Sequence, residues 1–445
     1  MPHPDSRSAL PLIRWISLLA GLGLVLSCRP PDRAYQLTYW CATNPFEVEF
    51  ARQIVDEWNA DTTRIPVIFQ PVPGGQSSEE VIIAAIVGKT TPDIYSNIWP
   101  GVIEQYRDAG AVLDLSQFAD FDSVLTSRVP ASLRDGFRSP DGGYYQMPWK
   151  ANPLMLYYNG KLLAEAGVDT LPVTYADFIA LAPRLVQDFN GDGHFDTWML
   201  DPNILPKWWE RFFDFYTFLI AATDGETLMQ DGVVNLDRPE TRQVLNFFRE
   251  NYAAGYFPRS LFQEEIFLLD KLAFKVSGPW LMRHLQRYRP DDYQHYGVTN
   301  LPRPTAGEGP VHSYGDPKNI VIFSTTPYPA EAWEFVKFMT SKANDRRLLD
   351  ITDQLPVRKD LQSDPAFSSY FAERPIMRQF ADQLPYTSGT DHSIYLQEIF
   401  DILSQEYDAA SVYAARPVDE AVANMQRRIS KLVAREHIRS AEAQD

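Results

Sequence analysis

The stretch AYQLTYWC, residues 34–41, alternates: Tyr35, Leu37, Tyr39 and Cys41 fall on one face and Gln36, Thr38 and Trp40 on the other, the period of a β-strand. In FEVEFARQIVDEWNAD (46–61) the period changes, with Ala51, Ile54, Val55 and Trp58 at helical spacing. A second strand follows in IPVIFQPV (65–72). After a PGGQ loop, Ser77 and Glu80 form a capping-box pattern that opens a helix through VIIAAIVGK (81–89), with Gly88 placed to stop it. TPDIYSN (91–97) reads as a third strand and GVIEQYRDAG (101–110) as a helix ending at Gly110. Strand–helix repetition of this kind predicts an α/β fold with a largely parallel sheet covered by helices. Ligands bind such sheets beyond the carboxyl ends of the strands, which points to Trp40–Asn44 and Tyr95–Gly101.

Outward from this unit, LPVTYADFIALAPRLVQD (171–188) caps at Thr174 and spaces Phe178, Leu181, Ala182 and Leu185 along one helical face, with Pro183 expected to kink it. PETRQVLNFFRENYAAG (239–255), AEAWEFVKFMTS (330–341) and VDEAVANMQRRISKLVARE (418–436) repeat the amphipathic pattern. At 445 residues the chain suits two lobes rather than one core. A net charge of −17, spread along the chain without a basic stripe, speaks against a nucleic-acid partner.

The N-terminal run RSALPLIRWISLLAGLGLVLSC (7–28) has Arg7 and Arg14, then an apolar core too short to span a bilayer comfortably, then cysteine. Val25-Leu26-Ser27-Cys28 resembles the lipobox of bacterial lipoproteins, which implies a signal peptide over 1–27, lipidation of Cys28 and a tether over 28–34. Cys28 and Cys41 are the only cysteines; with Cys28 acylated, Cys41 has no disulfide partner and reads as a small buried hydrophobe.

Five stretches, in this order, resemble the extracellular solute-binding proteins of bacterial ABC importers, in the sugar-binding family that includes maltose-binding protein. They are TPDIYSN with DAGAVLDLS; YYQMPWKANPLMLYYNGKLLAEAGV with PVTYADF; FKVSGPWLM; YGDPKNIVIFSTTPYPAEAWEFVKFMTS; and LPVRKDL. The resemblance implies a two-lobe periplasmic-binding-protein-like (type II) α/β fold with a ligand cleft between discontinuous lobes: 35–148 plus 316–350, and 149–315 plus 351–445. Crossings are implied near Met147–Trp149, Tyr314–Lys318 and Leu355–Arg358. It implies a monomeric, lipid-anchored protein of the cell envelope that hands a mono- to oligosaccharide or related polyol to the transmembrane subunits of an ABC permease, with no required cofactor. A ligand-sensing lipoprotein without transport and a secreted carbohydrate-active enzyme are the alternatives.

A sugar offers a C–H face that stacks on aromatic rings and hydroxyls that both donate and accept, so its site needs Trp or Tyr plates edged by polar groups. Where the family contacts ligand this chain has Trp40, Asn44, Asn97, Trp99, Trp149, Lys150, Asn152, Trp280, Tyr314, Asp316 and Arg358. In LPKWWERFF (205–213), Trp208 and Trp209 cannot share one helical face; one is expected to line the cleft, and Trp208 is taken as that residue. Trp58 and Trp333 lie on helical core faces. The family's acidic–basic pair after the third strand is replaced by Trp99-Pro100-Gly101 and its glutamate at the first crossing by Asn152, which points away from maltose toward another carbohydrate.

No G-x-S-x-G, H-E-x-x-H or P-loop is present. Ser388, Asp391 and His392 are triad residue types, but neighbours in sequence seldom meet as a triad. DFNGDGHFD (188–196) carries Asp188, Asn190, Asp192, His194 and Asp196 at EF-hand-like spacing, a candidate structural calcium clip. Met199 stands where that loop needs a bidentate glutamate.

Overall fold

The computed structural model describes residues 35–74, 77–230, 232–262 and 265–442. The signal peptide, Cys28 and the tether lie outside these residues. Strand β1 (Leu37–Cys41) buries Leu37, Tyr39 and Cys41 and leaves Thr38 and Trp40 half-buried, the alternation its sequence carries. It pairs in parallel with β2 (Val67–Pro71) and β3 (Ile94–Ile98). The sheet is completed by β4 (Met147–Lys150) and a late strand, Lys318–Ile322, in the order β2-β1-β3-late strand-β4. The late strand runs antiparallel to both β3 and β4, because the chain re-enters this lobe from the other one. The sheet is therefore four parallel strands with one antiparallel strand inserted.

The second lobe is built on β5 (Met155–Asn159), flanked antiparallel by Phe274–Ser277 and Tyr296–Thr299. Counting the hairpin strands β6 (Met229–Gln230) and β7 (Val233–Val234), these are β8 and β9; β10 (Ser313–Tyr314) precedes the late strand, β11, and pairs with β12 (Thr387–Ser388). The chain passes between sheets after Lys150, between Tyr314 and Lys318, and again at Leu355–Val357. These passages lie side by side: Asn152 N donates to Gly315 O at 2.6 Å, Ala151 N to Leu355 O at 2.9 Å and Val357 N to Trp149 O at 2.8 Å. β4 pairs with β11 from Met147 to Lys150, with an irregularity at Trp149, so Trp149 and Lys150 belong to the first sheet and the first passage starts after them.

Local chemistry explains the helices. Thr174 and Asp177 form a full capping box on the helix Tyr175–Leu185. Pro183 falls in that helix's last turn, where it ends the helix more than it bends it. Ser77 accepts from Glu80 N at the start of Ser78–Gly88, but the left-handed cap falls on Lys89 (φ 54°), one residue past the glycine expected to stop the helix. Ala332, Phe335, Val336 and Met339 are all buried, as are Val422, Met425 and Ile429 of the last helix.

One core, around Phe50, Trp149, Ile320 and Phe335, fills the first lobe. A second, around Tyr157, Phe267 and Phe380, lies against the three-stranded sheet. The largest, around Phe178, Phe218 and Phe247, continues across to Tyr95, Ile98 and Trp99 of the first lobe. The lobes thus meet through apolar surface: Trp99 packs edge-on against Trp208 with ring centroids 5.3 Å apart. Among the described residues no helix is long and apolar enough to cross a membrane.

Candidate functional site

Beyond the end of β8 lies a cavity of about 690 Å³, lined by aromatic and charged side chains of the second lobe. Such a volume is ordinary for small-ligand sites. Trp280 is the first residue of the helix Trp280–Tyr288, and its ring folds back over Gly278, where an added Cβ would lie 2.0 Å from the ring. Only glycine permits that approach. Trp280 meets Phe213 edge-on at 6.3 Å, and Trp209 and Phe262 complete the aromatic wall. Trp209 and Phe213 come from a tight turn around Trp208–Phe212, which directs successive rings to different sides: Trp208 is buried against Trp99 and Phe212, while Trp209 faces the cavity.

The polar edge is set by strand geometry. Asp201 follows a segment held against β8 by Phe274 N donating to Met199 O at 2.9 Å, and this brings it to Lys275. Lys275 Nζ is 3.2 Å from Asp201 and 3.1 Å from Glu265. Burial works against its charge, but the two carboxylates outweigh burial and hold its pKa above the ordinary lysine value. Arg211, behind the wall, is shared by Asp214 at 2.9 Å and Asp408 at 3.4 Å. Glu210 has no ion pair or side-chain hydrogen bond among the described residues. Burial, then the nearby Asp214, push its carboxyl up to about 7. Burial likewise raises Asp214 to about 6 against the pull of Arg211.

The other predicted residues are placed as follows. Trp40 is half-buried near the same core as Trp280 and Trp209. Asn44 caps the helix Pro45–Asn59, accepting from Phe46 N. Asn97 sits at the end of β3 with φ 82°, a left-handed backbone rare outside glycine, and Asp316 also has positive φ. Trp99 is buried between lobes, donating from Nε1 to Asp316 at 3.0 Å, with Lys318 4.2 Å over its ring and ion-paired to Asp316. Trp149 is in the first-lobe core. Lys150 is buried on Glu47 at 2.7 Å. Asn152 clips the passages together, donating to Gln354 at 3.1 Å and accepting from Leu355 N. Tyr314 is buried and stacked on Phe212 at 4.9 Å. Arg358 turns to Asp345 and Thr340 O, away from the cavity. Of the predicted set, Trp280 alone lines this cavity; its companions Trp209, Asp201, Glu210 and Lys275 were not singled out as ligand contacts. The DPN run at 201–203 beside the tryptophan pair was the signal that could have found them.

Ser388, Asp391 and His392 do not converge. Ser388 Oγ donates to Gly225 O at 2.6 Å, Asp391 accepts from Thr227 and Leu228 N, and His392 contacts Glu104 and Gly136 O. The acidic loop is also self-contained: Asp188 accepts from Gly191 N and Gly193 N, Asn190 from Asp192 N, Asp192 from His194 N, and Asp196 from Phe189 N. Those amides hold the Asp188 carboxyl below its ordinary value. Among the described residues no three His, Cys, Asp or Glu are grouped to hold a metal, and Met199 is buried in the core. The loop is closed by these bonds to its own backbone. With the loop held by its own backbone bonds, a chelator should leave the melting temperature unchanged in a thermal scan if these bonds suffice, whereas a drop of several degrees, restored by calcium, would establish the ion.

Two lobes joined by three adjacent passages, with an aromatic cavity at the strand ends, define a solute-binding architecture. The chain belongs to the bacterial extracellular solute-binding proteins, whose family model it matches over residues 53–375. It is 25% identical over 338 residues to the maltotriose-binding protein of Pyrococcus abyssi, covering 74% of this chain and 68% of that one. It is 23% identical over 326 residues to the diacetylchitobiose binding protein DasA of Streptomyces coelicolor, covering 69% and 72%. In fold it is similar to an ABC transporter solute-binding protein of Thermotoga lettingae bound with α-D-tagatose, at a TM-score of 0.76 and 17% identity over 90% of this chain and all of that one.

Proposed function

We propose that this protein binds a carbohydrate in the cavity walled by Trp209 and Trp280 and delivers it to an ABC permease. The observation that carries this reading is the cavity itself: rings for a sugar's C–H face beside carboxylates, an amide and hydroxyls (Asn203, Ser260, Ser277) for its hydroxyls. The relatives' names, which specify maltotriose and diacetylchitobiose, support the ligand class. The lobes in this reading are residues 35–150 with 316–350, and 155–315 with the segment after 351, so closure is a hinge motion at the three passages. Cys28 anchors a monomeric binding protein to the envelope membrane by its lipid.

A thermal-shift screen of the soluble fragment from Ala34 against mono-, di- and oligosaccharides, polyols, glycerol phosphodiesters and polyamines tests the ligand. Carbohydrate should raise the melting temperature. If sugars and polyols all fail while another class succeeds, the assignment falls. One observation favours a second reading, a glycosidase: a carboxyl raised to about 7 beside other acids in a sugar site suits a general acid. Cleavage of labelled oligosaccharide on incubation would decide for it.

A further inference from the structure

Resting on the carbohydrate reading of the same cavity, we propose that the site selects sugars bearing a protonated amino group over their hydroxyl and acetamido counterparts. Among the described residues four carboxylates line the cavity, those of Asp201, Glu210, Asp214 and Glu265, against one cation, Lys275. That cation is shared by Asp201 and Glu265. Arg211 is shared by Asp214 and Asp408. Lys207 lies over the Trp209 ring at 5.3 Å, with no ion pair to Glu210. Arg211 and Lys275 are thus each shared between other carboxylates, and among the described residues no cation is ion-paired to Glu210, which feels Arg211, Lys207 and Lys275 only from further off. An ammonium group entering here meets a carboxylate and aromatic faces, and both attract a cation. A hydroxyl could accept or donate one hydrogen bond but would leave the partly buried charge uncompensated; a phosphate would be repelled.

The raised Glu210 carboxyl agrees with this arrangement, since burial, and Asp214 after it, outweigh the pull of cations that are not paired to it. The charged groups acting on it are Asp214, Arg211, Lys207 and Lys275, with Asp201 and Glu265 around the lysine. An ammonium ligand favours the ionised form, so the preference for amine shrinks as pH falls below about 7, and it is also lost on the alkaline side once the sugar's own ammonium gives up its proton.

The test is calorimetric titration of the lipid-free chain with sugars matched in skeleton, gluco and galacto, one to four units long, in amino, hydroxyl and N-acetyl forms. The amino form should bind at least tenfold more tightly than its matched hydroxyl form, and the advantage should narrow several-fold on raising salt from about 0.05 to 0.5 M. Glu210→Gln should cut the amine-to-hydroxyl affinity ratio at least fivefold, whatever its effect on absolute affinity. The wild-type ratio and its salt response stand without the variant. Neutral sugars binding as well as or better than amino sugars would overturn the amine preference and leave the carbohydrate reading standing. Failure of every sugar, with polyamines bound instead, would overturn both. An amine preference unchanged in Glu210→Gln would remove Glu210 as its source.

Discussion

Replacing Asp345 with alanine should destabilise the protein by about 3–5 kcal/mol, the usual cost of leaving a buried charge without its partner. Asp345 is fully buried and its carboxylate holds two guanidinium groups, Arg128 and Arg358. Arg128 in turn donates to Thr340 O at 2.9 Å, Pro148 O at 3.2 Å and Trp149 O at 2.7 Å. Arg358 also reaches Thr340 O at 2.9 Å. The carboxylate therefore ties the end of β4 to the third passage, close to where the lobes hinge. Without it the buried Arg128 faces the half-buried Arg358 with no carboxylate between them, and Arg128 cannot swing to water while its other bonds hold. Thermal scanning should show a fall of roughly 6–20 °C. Asp350→Ala, on the same helix Lys342–Thr352, provides the comparison. Its pairing with Arg346 is an exposed i,i+4 contact at 3.0 Å, worth a few tenths of a kcal/mol. If the two variants melt together, the buried carboxylate does not hold the passages.

The fold was legible where periodicity and caps agree. The alternation in Leu37–Cys41, the cap at Thr174 and the inward stripe of the last helix depend on near neighbours; the first two appear as read, and of the stripe Val422, Met425 and Ile429 are buried while Val418 is half-buried at its start. The inserted antiparallel strand Lys318–Ile322 depends on where the chain returns, which no local pattern encodes. The site was less legible for a related reason. A tryptophan next to a strand end can face ligand, core or the other lobe, and Trp280, Trp149 and Trp99 divide in just that way. The tight turn at Trp208–Phe212 decides which of two adjacent rings faces the cavity, and helical spacing alone leaves that choice open. Lys275 and Asp201 meet only because residues 198–200 lie against β8, a contact between segments about 75 positions apart.

Trp280→Ala should weaken carbohydrate binding at least tenfold, about 1.4 kcal/mol, with little change in the melting temperature of the free protein. The Trp280 ring is half-buried: one side meets Phe213 and Gly278 and the rest borders the cavity. Truncation removes a stacking surface a sugar ring would cover, and tryptophan at the centre of a binding surface commonly dominates its energy. It removes little core packing, because the ring stands at the edge of two apolar clusters rather than within one. Trp149→Ala should show the opposite pattern. That ring is 1% exposed, packs on Phe50 at 6.0 Å and lies under Lys150, so its loss should cost about 3–5 kcal/mol of stability. Phenylalanine at 280 should recover part of the affinity, since an aromatic face is retained. Titration and melting of the three variants separate the two roles. A Trp280→Ala protein that binds as tightly as wild type but melts several degrees lower would return that ring to the core and leave Trp209 as the plate on which the sugar stacks.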